Sequence, residues 1–163
     1  MRGTGGRPAL TDDRNIAAAA LRWAAWLFVA CLVLQFFFVG LDVFEAPGFS
    51  GLHRDFAYTY GWLAPILVLL AGLAGAPAPV LSTSVALLVA FAVQTYLPLI
   101  ASALPTIAAL HAILALGIVW LAVRLARLAS APRAVTESHP LRDSGPMPPG
   151  PSRSDAAATP DRR

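Results

Sequence analysis

The sequence has no lysine, one cysteine and few charged residues of any kind. Charged residues make up 13% of the chain, whereas ordinary globular proteins carry roughly 25%. From Phe56 to Val123 there is no Asp, Glu, Lys or Arg. A soluble domain needs polar helix faces toward water, so this stretch excludes a soluble fold. It also exceeds the about 20 apolar residues of one transmembrane helix, and must therefore cross a membrane more than once.

Other absences exclude whole classes of function. Cys31, the lone cysteine, cannot form an internal disulfide and says nothing about redox compartment. The arginines flank apolar segments without a basic helix or aromatic patch, which excludes a nucleic-acid partner. There is no glycine-rich phosphate loop, paired-cysteine metal motif, Ser-His-Asp arrangement or intramembrane carboxylate. Hydrolytic, phosphoryl-transfer and proton-coupled export chemistry therefore have no residues to carry them, while a redox role stays open.

The apolar pattern predicts an all-α integral membrane protein, an antiparallel four-helix bundle with disordered N- and C-terminal tails. Short connections after the second and third spans force neighbouring helices to run antiparallel. A transmembrane domain is expected over residues 16–129, with disordered tails over 1–15 and 130–163. The four spans are expected at about residues 23–41, 56–75, 80–100 and 106–123.

Two prolines fall inside predicted spans. Pro65 lies in the second span and Pro98 in the third. Each removes one backbone hydrogen bond and is expected to bend its helix. Pro98 in particular frees the carbonyl of Gln94, four residues earlier.

The arginines predict the orientation. Four arginines precede the first span, and Arg124, Arg127 and Arg133 follow the last, whereas the connection over residues 42–55 has three acids against Arg54 alone. The positive-inside rule then places both termini in the cytoplasm of a cell whose plasma membrane the chain spans. An alternative makes the first span a cleaved signal peptide. That is disfavoured, because its apolar run is too long and no small-residue cleavage site follows it.

One strongly polar side chain is expected from each helix in the outer part of the bundle. Gln35, Gln94 and His111 each lie about six residues, or about 9 Å, inside the expected outer boundary. His53 stands at the outer start of the second span, beside Arg54. Polar groups in hydrocarbon turn toward partners inside a bundle, so these side chains are predicted to form one polar layer.

The spacing of this layer repeats. Gln35 precedes His53 by eighteen residues and Gln94 precedes His111 by seventeen, each across an outer connection. Two such units would point imidazoles toward each other from the second and fourth helices. Opposed histidines in an apolar bundle are what haem iron needs as axial ligands, here across an expected gap of about 10 Å. Small residues near the histidines would leave room for the macrocycle, and Arg54 would pair with a propionate. Those small residues are Ala57, Gly61, Ala108, Ala112 and Ala115.

Three short motifs carry a family resemblance: Leu34-Gln35, His53-Arg54 and Leu110-His111. With them the chain, over about residues 22–127, resembles small four-span bacterial membrane proteins of unknown function. It is also similar to one four-helix half of haem A synthase. That resemblance implies haem-ligating histidines on the second and fourth helices. The chain departs from the synthase at Ser50, where the synthase has a glutamate, and in lacking its paired loop cysteines.

Plainer interpretations stay open. His53 is alternatively a helix cap bonded to Asp55 or water, and His111 a buried imidazole bonded to Gln94 or a backbone carbonyl. The glutamines are alternatively interhelical hydrogen-bonding groups, and Arg54 an ion-pair partner of Asp42 or Asp55. The leading hypothesis is a membrane-embedded protein that binds haem b and serves electron transfer or haem handling. The alternatives are a cofactor-free partner subunit and, more weakly, a conduit for a small neutral molecule.

The expected partners follow from the spans. The lipid bilayer is one, and a membrane redox partner or a second copy of the chain is another. Ala71 and Gly75 offer a small-residue surface on which two copies would pack.

Overall fold

The structure, a computed structural model, describes residues 8–44 and 50–132. Within these ranges the chain is helical and contains no β-strand. The helices are α1 (Pro8–Phe44), α2 (Ser50–Gly61), α3 (Leu63–Leu73), α4 (Ala78–Tyr96), α5 (Pro105–Ala108) and α6 (Leu110–Ser130), with a 3₁₀ turn at Leu97–Ile100. They form four rods, because α2 and α3 run on from one another, as do α5 and α6. In each rod the apolar stretch is long enough to cross a membrane.

Four apolar rods lie where the four spans were predicted, and their bounds differ from the prediction at the ends. The apolar rods cover Asp12–Phe44, Gly51–Leu73, Ala78–Ile100 and Pro105–Ser130. The prediction of a disordered tail over residues 1–15 is wrong for residues 8–15, because α1 already begins at Pro8. Proline is well tolerated at the first position of a helix, and the alanines at 17–20 favour helix throughout this stretch. Residues 1–7 and 133–163, which hold the rest of the predicted tails, lie outside the described residues.

Both prolines interrupt their helices. The second rod breaks between α2 and α3 at Trp62, three residues before Pro65. The bond that follows the break, from the Ile66 amide to the Trp62 carbonyl, is long at 3.4 Å. In the third rod α4 ends at Tyr96, and a 3₁₀ turn containing Pro98 takes over. The predicted bends are thus found as local breaks, where proline cannot donate to the carbonyl four residues earlier.

The turn between the second and third rods explains their antiparallel packing. Gly75 adopts a left-handed φ of 57°, which glycine accepts without a steric penalty. The Ala76 amide bonds to the Ala71 carbonyl and the Gly75 amide to the Gly72 carbonyl, the pattern that closes a helix end. Pro77 then caps α4 in an extended conformation. This local chemistry turns the chain back within a few residues.

The rods pack as a square. Rod contacts run between α1 and α2–α3, between α3 and α4, between α4 and α6, and between α6 and α1. The second and fourth rods are therefore diagonal partners, and so are the first and third. We call the end at which α1 ends, α2 begins and the Leu97–Leu104 segment lies the distal end.

The core combines a few large side chains with many small ones. Phe28, Leu67, Leu87, Ile118 and Leu125 are fully buried. Alanines lie between them, which lets helices approach closely where lipid offers no hydrophobic driving force. Buried alanines include Ala25, Ala64, Ala71, Ala122 and Ala126. Because Ala71 packs inside the bundle, it does not offer the surface for a second copy that the sequence suggested.

Candidate functional site

A cavity of about 430 Å³ lies inside the distal half of the bundle. All four rods contribute to its wall, and most of the wall is apolar. Phe36, Tyr58 and Leu99 line it and are also exposed on the outside of the bundle, so the cavity opens sideways between the rods. The polar side chains that line it include Gln35, His53, Arg54, Gln94 and His111. The five residues singled out from the sequence therefore meet in one place.

The two imidazoles lie opposite each other. His53 comes from α2 and His111 from α6, the diagonal pair of rods. Their ring centroids are 6.5 Å apart, and the ring planes meet at 65°. Both side chains are half-buried. The rings are closer than the gap of about 10 Å predicted from the sequence.

Gln35 joins the first rod to His53. Its side-chain amide donates to the backbone carbonyl of His53 at 2.9 Å. The same nitrogen lies 3.3 Å from Nε2 of the His53 ring. An amide NH₂ only donates, so in this contact Nε2 of His53 is the acceptor. Gln35 is thus an interhelical link, as the plainer interpretation of the glutamines predicted.

His111 is held by a backbone carbonyl rather than by a side chain. Its Nδ1 lies 3.1 Å from the carbonyl oxygen of Gln94. A carbonyl oxygen only accepts, so Nδ1 carries the hydrogen. In the neutral ring this leaves Nε2 as the nitrogen with a free lone pair.

The two Gln–His units do not repeat each other. In the first unit the glutamine side chain donates to the histidine backbone, and in the second the histidine side chain donates to the glutamine backbone. The similar spacing in sequence therefore predicts the position of the four residues but not their bonding. The difference arises because Pro98 leaves the Gln94 carbonyl without its helical donor, and the first rod has no proline near Gln35.

Three polar atoms at the cavity have no partner. Among the described side chains, the buried oxygen and nitrogen atoms without a hydrogen bond are Gln35 Oε1, His53 Nδ1 and Gln94 Oε1. A buried polar atom that stays unpaired costs about 1–3 kcal/mol, and such atoms mark places where a ligand, ion or water belongs. Gln35 is only 8% exposed, so bulk solvent does not reach it freely.

Arg54 lies at the rim of the cavity with its guanidinium turned to a neighbour. Its Nε is 3.1 Å from a carboxylate oxygen of Asp55, and both side chains are about two-thirds exposed. Of the two carboxylates that the sequence offered, Asp55 is the one that pairs. An exposed ion pair of this kind contributes about 0–1 kcal/mol, so Arg54 remains available to an anion at the rim.

Three of the five small residues near the histidines line the cavity, as expected for residues that make room: Ala57, Ala112 and Ala115. Ala108 is not among the lining residues. Gly61 does something else, since a Cβ placed there would lie 2.8 Å from Cε1 of Phe91. Gly61 therefore permits the close contact of the second and third rods, and the prediction that it makes room for a macrocycle is wrong.

An aromatic cluster below the histidines escaped the sequence analysis. The Tyr60 ring packs 5.4 Å from Phe28, 5.5 Å from Phe91 and 5.1 Å from Phe56, measured between centroids. Tyr60 and Phe91 line the cavity and form its inner floor. The available signal was spacing, because Tyr60 follows His53 by seven residues and so shares its helix face.

Comparison with known protein families gives a match over part of the chain. Residues 35–103 match a family of unknown function (DUF6220). The matched region begins at Gln35 and includes His53, Gln94 and Pro98, whereas His111 lies beyond it. No curated protein and no solved structure matches the chain.

Proposed function

We propose that this protein is a membrane-embedded b-type haem protein that uses His53 and His111 as axial ligands. The observation that carries the proposal is the pair of imidazoles from diagonal rods, which lie edge to face with centroids 6.5 Å apart. The resemblance in layout to one half of haem A synthase and the lone pair on Nε2 of His111 support it. Its role would be electron transfer or haem handling.

The separation of the rings fits axial ligation. Haem iron held between the two imidazoles, at about 2 Å from each nitrogen with the ring centroid about 1 Å further back, would need centroids about 6 Å apart. The gap of about 10 Å expected from the sequence was too large, because each ring adds only about 1 Å to the distance between the centroids. Either ring can also turn about its own metal bond, so an angle of 65° between the planes is acceptable.

The donor chemistry of the two histidines differs. Nε2 of His111 is free to bind a metal because its Nδ1 is occupied by the Gln94 carbonyl. Nε2 of His53 is in contact with Gln35 at 3.3 Å, which is the longer of the two contacts that this amide makes. Ligation through Nε2 would replace that contact and keep the 2.9 Å bond to the His53 carbonyl.

The rest of the cavity suits a flat apolar group with one charged edge. Its volume lies in the range of about 300–1,000 Å³ typical of cofactor sites. Alanines flank the histidines, and the aromatic floor closes the inner side. Haem, when bound, supplies a one-electron couple at its iron. The chain would hold the imidazoles, exclude water, and offer Arg54 at the rim to a propionate.

We also propose the orientation that places this site near the outer leaflet. The arginines at both ends of the chain support cytoplasmic termini in a plasma membrane. The distal end then faces outward, together with the connection that carries most of the acids between spans. An electron partner would meet the site from that side or through the sideways opening.

The test is colour. Protein purified in detergent from haem-sufficient cells should show a Soret band that shifts on reduction. His53→Ala and His111→Ala should each abolish the bis-histidine spectrum. His139→Ala, which changes the third histidine, should leave it intact. Folded wild-type protein that stays colourless after addition of haemin would refute the proposal.

A second candidate is a cofactor-free partner subunit of a membrane complex. One observation favours it: both histidine residues already take part in interhelical hydrogen bonds without any cofactor. Such bonds fix the register of helices in a membrane. A colourless protein whose His111→Ala variant loses stability or association with a co-purified partner would support this candidate.

A further inference from the structure

We propose that Pro98 is a positioning residue that sets the tautomer of His111 through the backbone carbonyl of Gln94. Where this concerns haem it rests on the proposed function, but the tautomer itself does not. The three residues come from α4, the 3₁₀ turn that follows it, and α6. Pro98 leaves the Gln94 carbonyl without its helical donor, and the His111 imidazole bonds to that carbonyl.

The hydrogen-bond ladder of the third rod lacks one bond at Pro98. In a continuous α-helix the amide of residue 98 would donate to the carbonyl of residue 94. Pro98 has no amide hydrogen, and the last regular bond before it runs from the Leu97 amide to the Val93 carbonyl. The Gln94 carbonyl therefore needs another donor in an apolar surrounding.

His111 supplies that donor. Nδ1 lies 3.1 Å from the Gln94 oxygen, across the interface between the third and fourth rods. This is the arrangement in which a second group fixes the tautomer and orientation of a metal-binding histidine. It leaves Nε2 free on a half-buried ring that lines the cavity.

His53 lacks an equivalent device. Its Nδ1 has no partner, and its Nε2 is in contact with an amide from Gln35. The first rod carries no proline near Gln35, so no carbonyl there is freed for a ring nitrogen. The asymmetry indicates that the proline, and not the repeated Gln–His spacing, determines which nitrogen of His111 stays free.

Pro65 provides a matched control. It also interrupts a spanning rod, and the carbonyl that it frees belongs to Gly61. None of the described histidine rings bonds to that carbonyl. Pro65→Ala therefore restores a helical amide without touching the His111 bond, whereas Pro98→Ala restores the amide that competes for the Gln94 carbonyl.

The first experiment needs no cofactor. Ring-nitrogen NMR of ¹⁵N-histidine-labelled apoprotein in detergent reports which nitrogen of each neutral ring is protonated, with His111→Gln for assignment. We expect protonated Nδ1 at His111 in the wild type and in Pro65→Ala, and a mixture or the opposite tautomer in Pro98→Ala. Pro98→Gly, which also restores an amide, serves if the alanine variant does not fold. Protonated Nε2 in the wild type, or an unchanged tautomer in the Pro98 variants, would overturn the proposal.

The second experiment uses haem-loaded protein. A hydrogen bond from Nδ1 to a carbonyl makes the ligand more basic and favours ferric iron. Its loss in Pro98→Ala should shift the ferrous-to-ferric ratio at a fixed potential by up to about tenfold, about 59 mV toward higher potential for a one-electron couple. Pro65→Ala should keep the wild-type potential, and equal potentials in all three proteins would contradict the proposal. Protein that binds no haem would refute the proposed function, while the NMR result would still decide the role of Pro98.

Discussion

Gln35 and His53 are joined by a hydrogen bond that links the first two rods, from the Gln35 amide nitrogen to the His53 carbonyl oxygen at 2.9 Å. Replacing Gln35 by the similarly sized Leu should leave that carbonyl unpaired by a side chain and remove the contact to the imidazole. Interhelical hydrogen bonds in membrane proteins average about 0.6 kcal/mol, with a maximum of about 1.7. We expect Gln35→Leu to lower the free energy of unfolding by about that much, measured by titration with a denaturing detergent.

Gln94 offers the matched comparison for that variant. Its side-chain oxygen has no hydrogen-bond partner, while the bond to His111 uses its backbone. Gln94→Leu should therefore leave stability unchanged or raise it, because it removes a buried polar atom that nothing satisfies. Equal destabilisation by both substitutions would contradict the distinct roles assigned to the two glutamines.

Gly61→Ala should destabilise the bundle by forcing Phe91 to move. The added Cβ would lie 2.8 Å from Cε1 of that ring, which is itself packed against Phe28 and Tyr60. Overpacking of this kind costs typically about 1–3 kcal/mol. Because Phe91 forms part of the cavity floor, the same variant should also weaken binding at the site. Detergent unfolding and ligand titration measure the two effects.

Gly72, in α3, provides the control for Gly61. A Cβ at Gly72 would meet nothing within 4 Å, so Gly72→Ala should be neutral or stabilise by up to about 1 kcal/mol through helix propensity. The double variant Gly61→Ala/Phe91→Leu should recover part of the lost stability, because the smaller side chain vacates the position of the ring. Absence of any recovery would show that the strain lies elsewhere.

Arg54→Ala should separate stability from binding. The Arg54–Asp55 pair is exposed and joins neighbours in sequence, so its loss should cost less than about 1 kcal/mol of unfolding free energy. If Arg54 meets a propionate at the rim, the same variant should bind haemin more weakly while melting like the wild type. Asp55→Asn, which frees the guanidinium, should bind at least as tightly as the wild type. An unchanged haemin affinity in Arg54→Ala would show that Arg54 does not contact the ligand.

The orientation can be tested with single cysteines in a Cys31→Ser background. Gly51 lies at the distal end, and a Cβ there meets nothing within 4 Å, so Gly51→Cys should be tolerated. Ala131, the site of the second substitution to cysteine, directly follows the last rod. A membrane-impermeant maleimide should label position 51 in intact cells and position 131 only after permeabilisation. The reverse pattern would place the cavity near the cytoplasmic leaflet and contradict the proposed topology.

The sequence predicted the rods and the inward polar residues because both depend on one strong rule. Unpaired polar groups are expensive in hydrocarbon, so a charge-free stretch must form helices, and its few polar side chains must turn inward. The same rule predicted one shared layer for Gln35, His53, Gln94 and His111, and all four line the cavity. It also identified the Gln94 carbonyl as freed by Pro98.

The features that the sequence did not predict depend on distances of a few tenths of an ångström. Whether Gly61 makes room for a ligand or for Phe91 is decided by how closely two rods cross, which no pattern of residue types encodes. The bonding of the two Gln–His units likewise depends on side-chain rotamers, and the repeat in sequence suggested a symmetry that the hydrogen bonds lack. The start of α1 at Pro8 was missed because the charged residues near it resemble a tail in composition.

The unequal anchoring of the two imidazoles has a consequence for their motion. His111 is tied by its own ring to the neighbouring rod, whereas the ring of His53 has only the longer contact to the Gln35 amide. The His53 imidazole should therefore reorient more readily than the His111 imidazole. One wall of the cavity would then stay rigid while the opposite wall adapts to whatever enters.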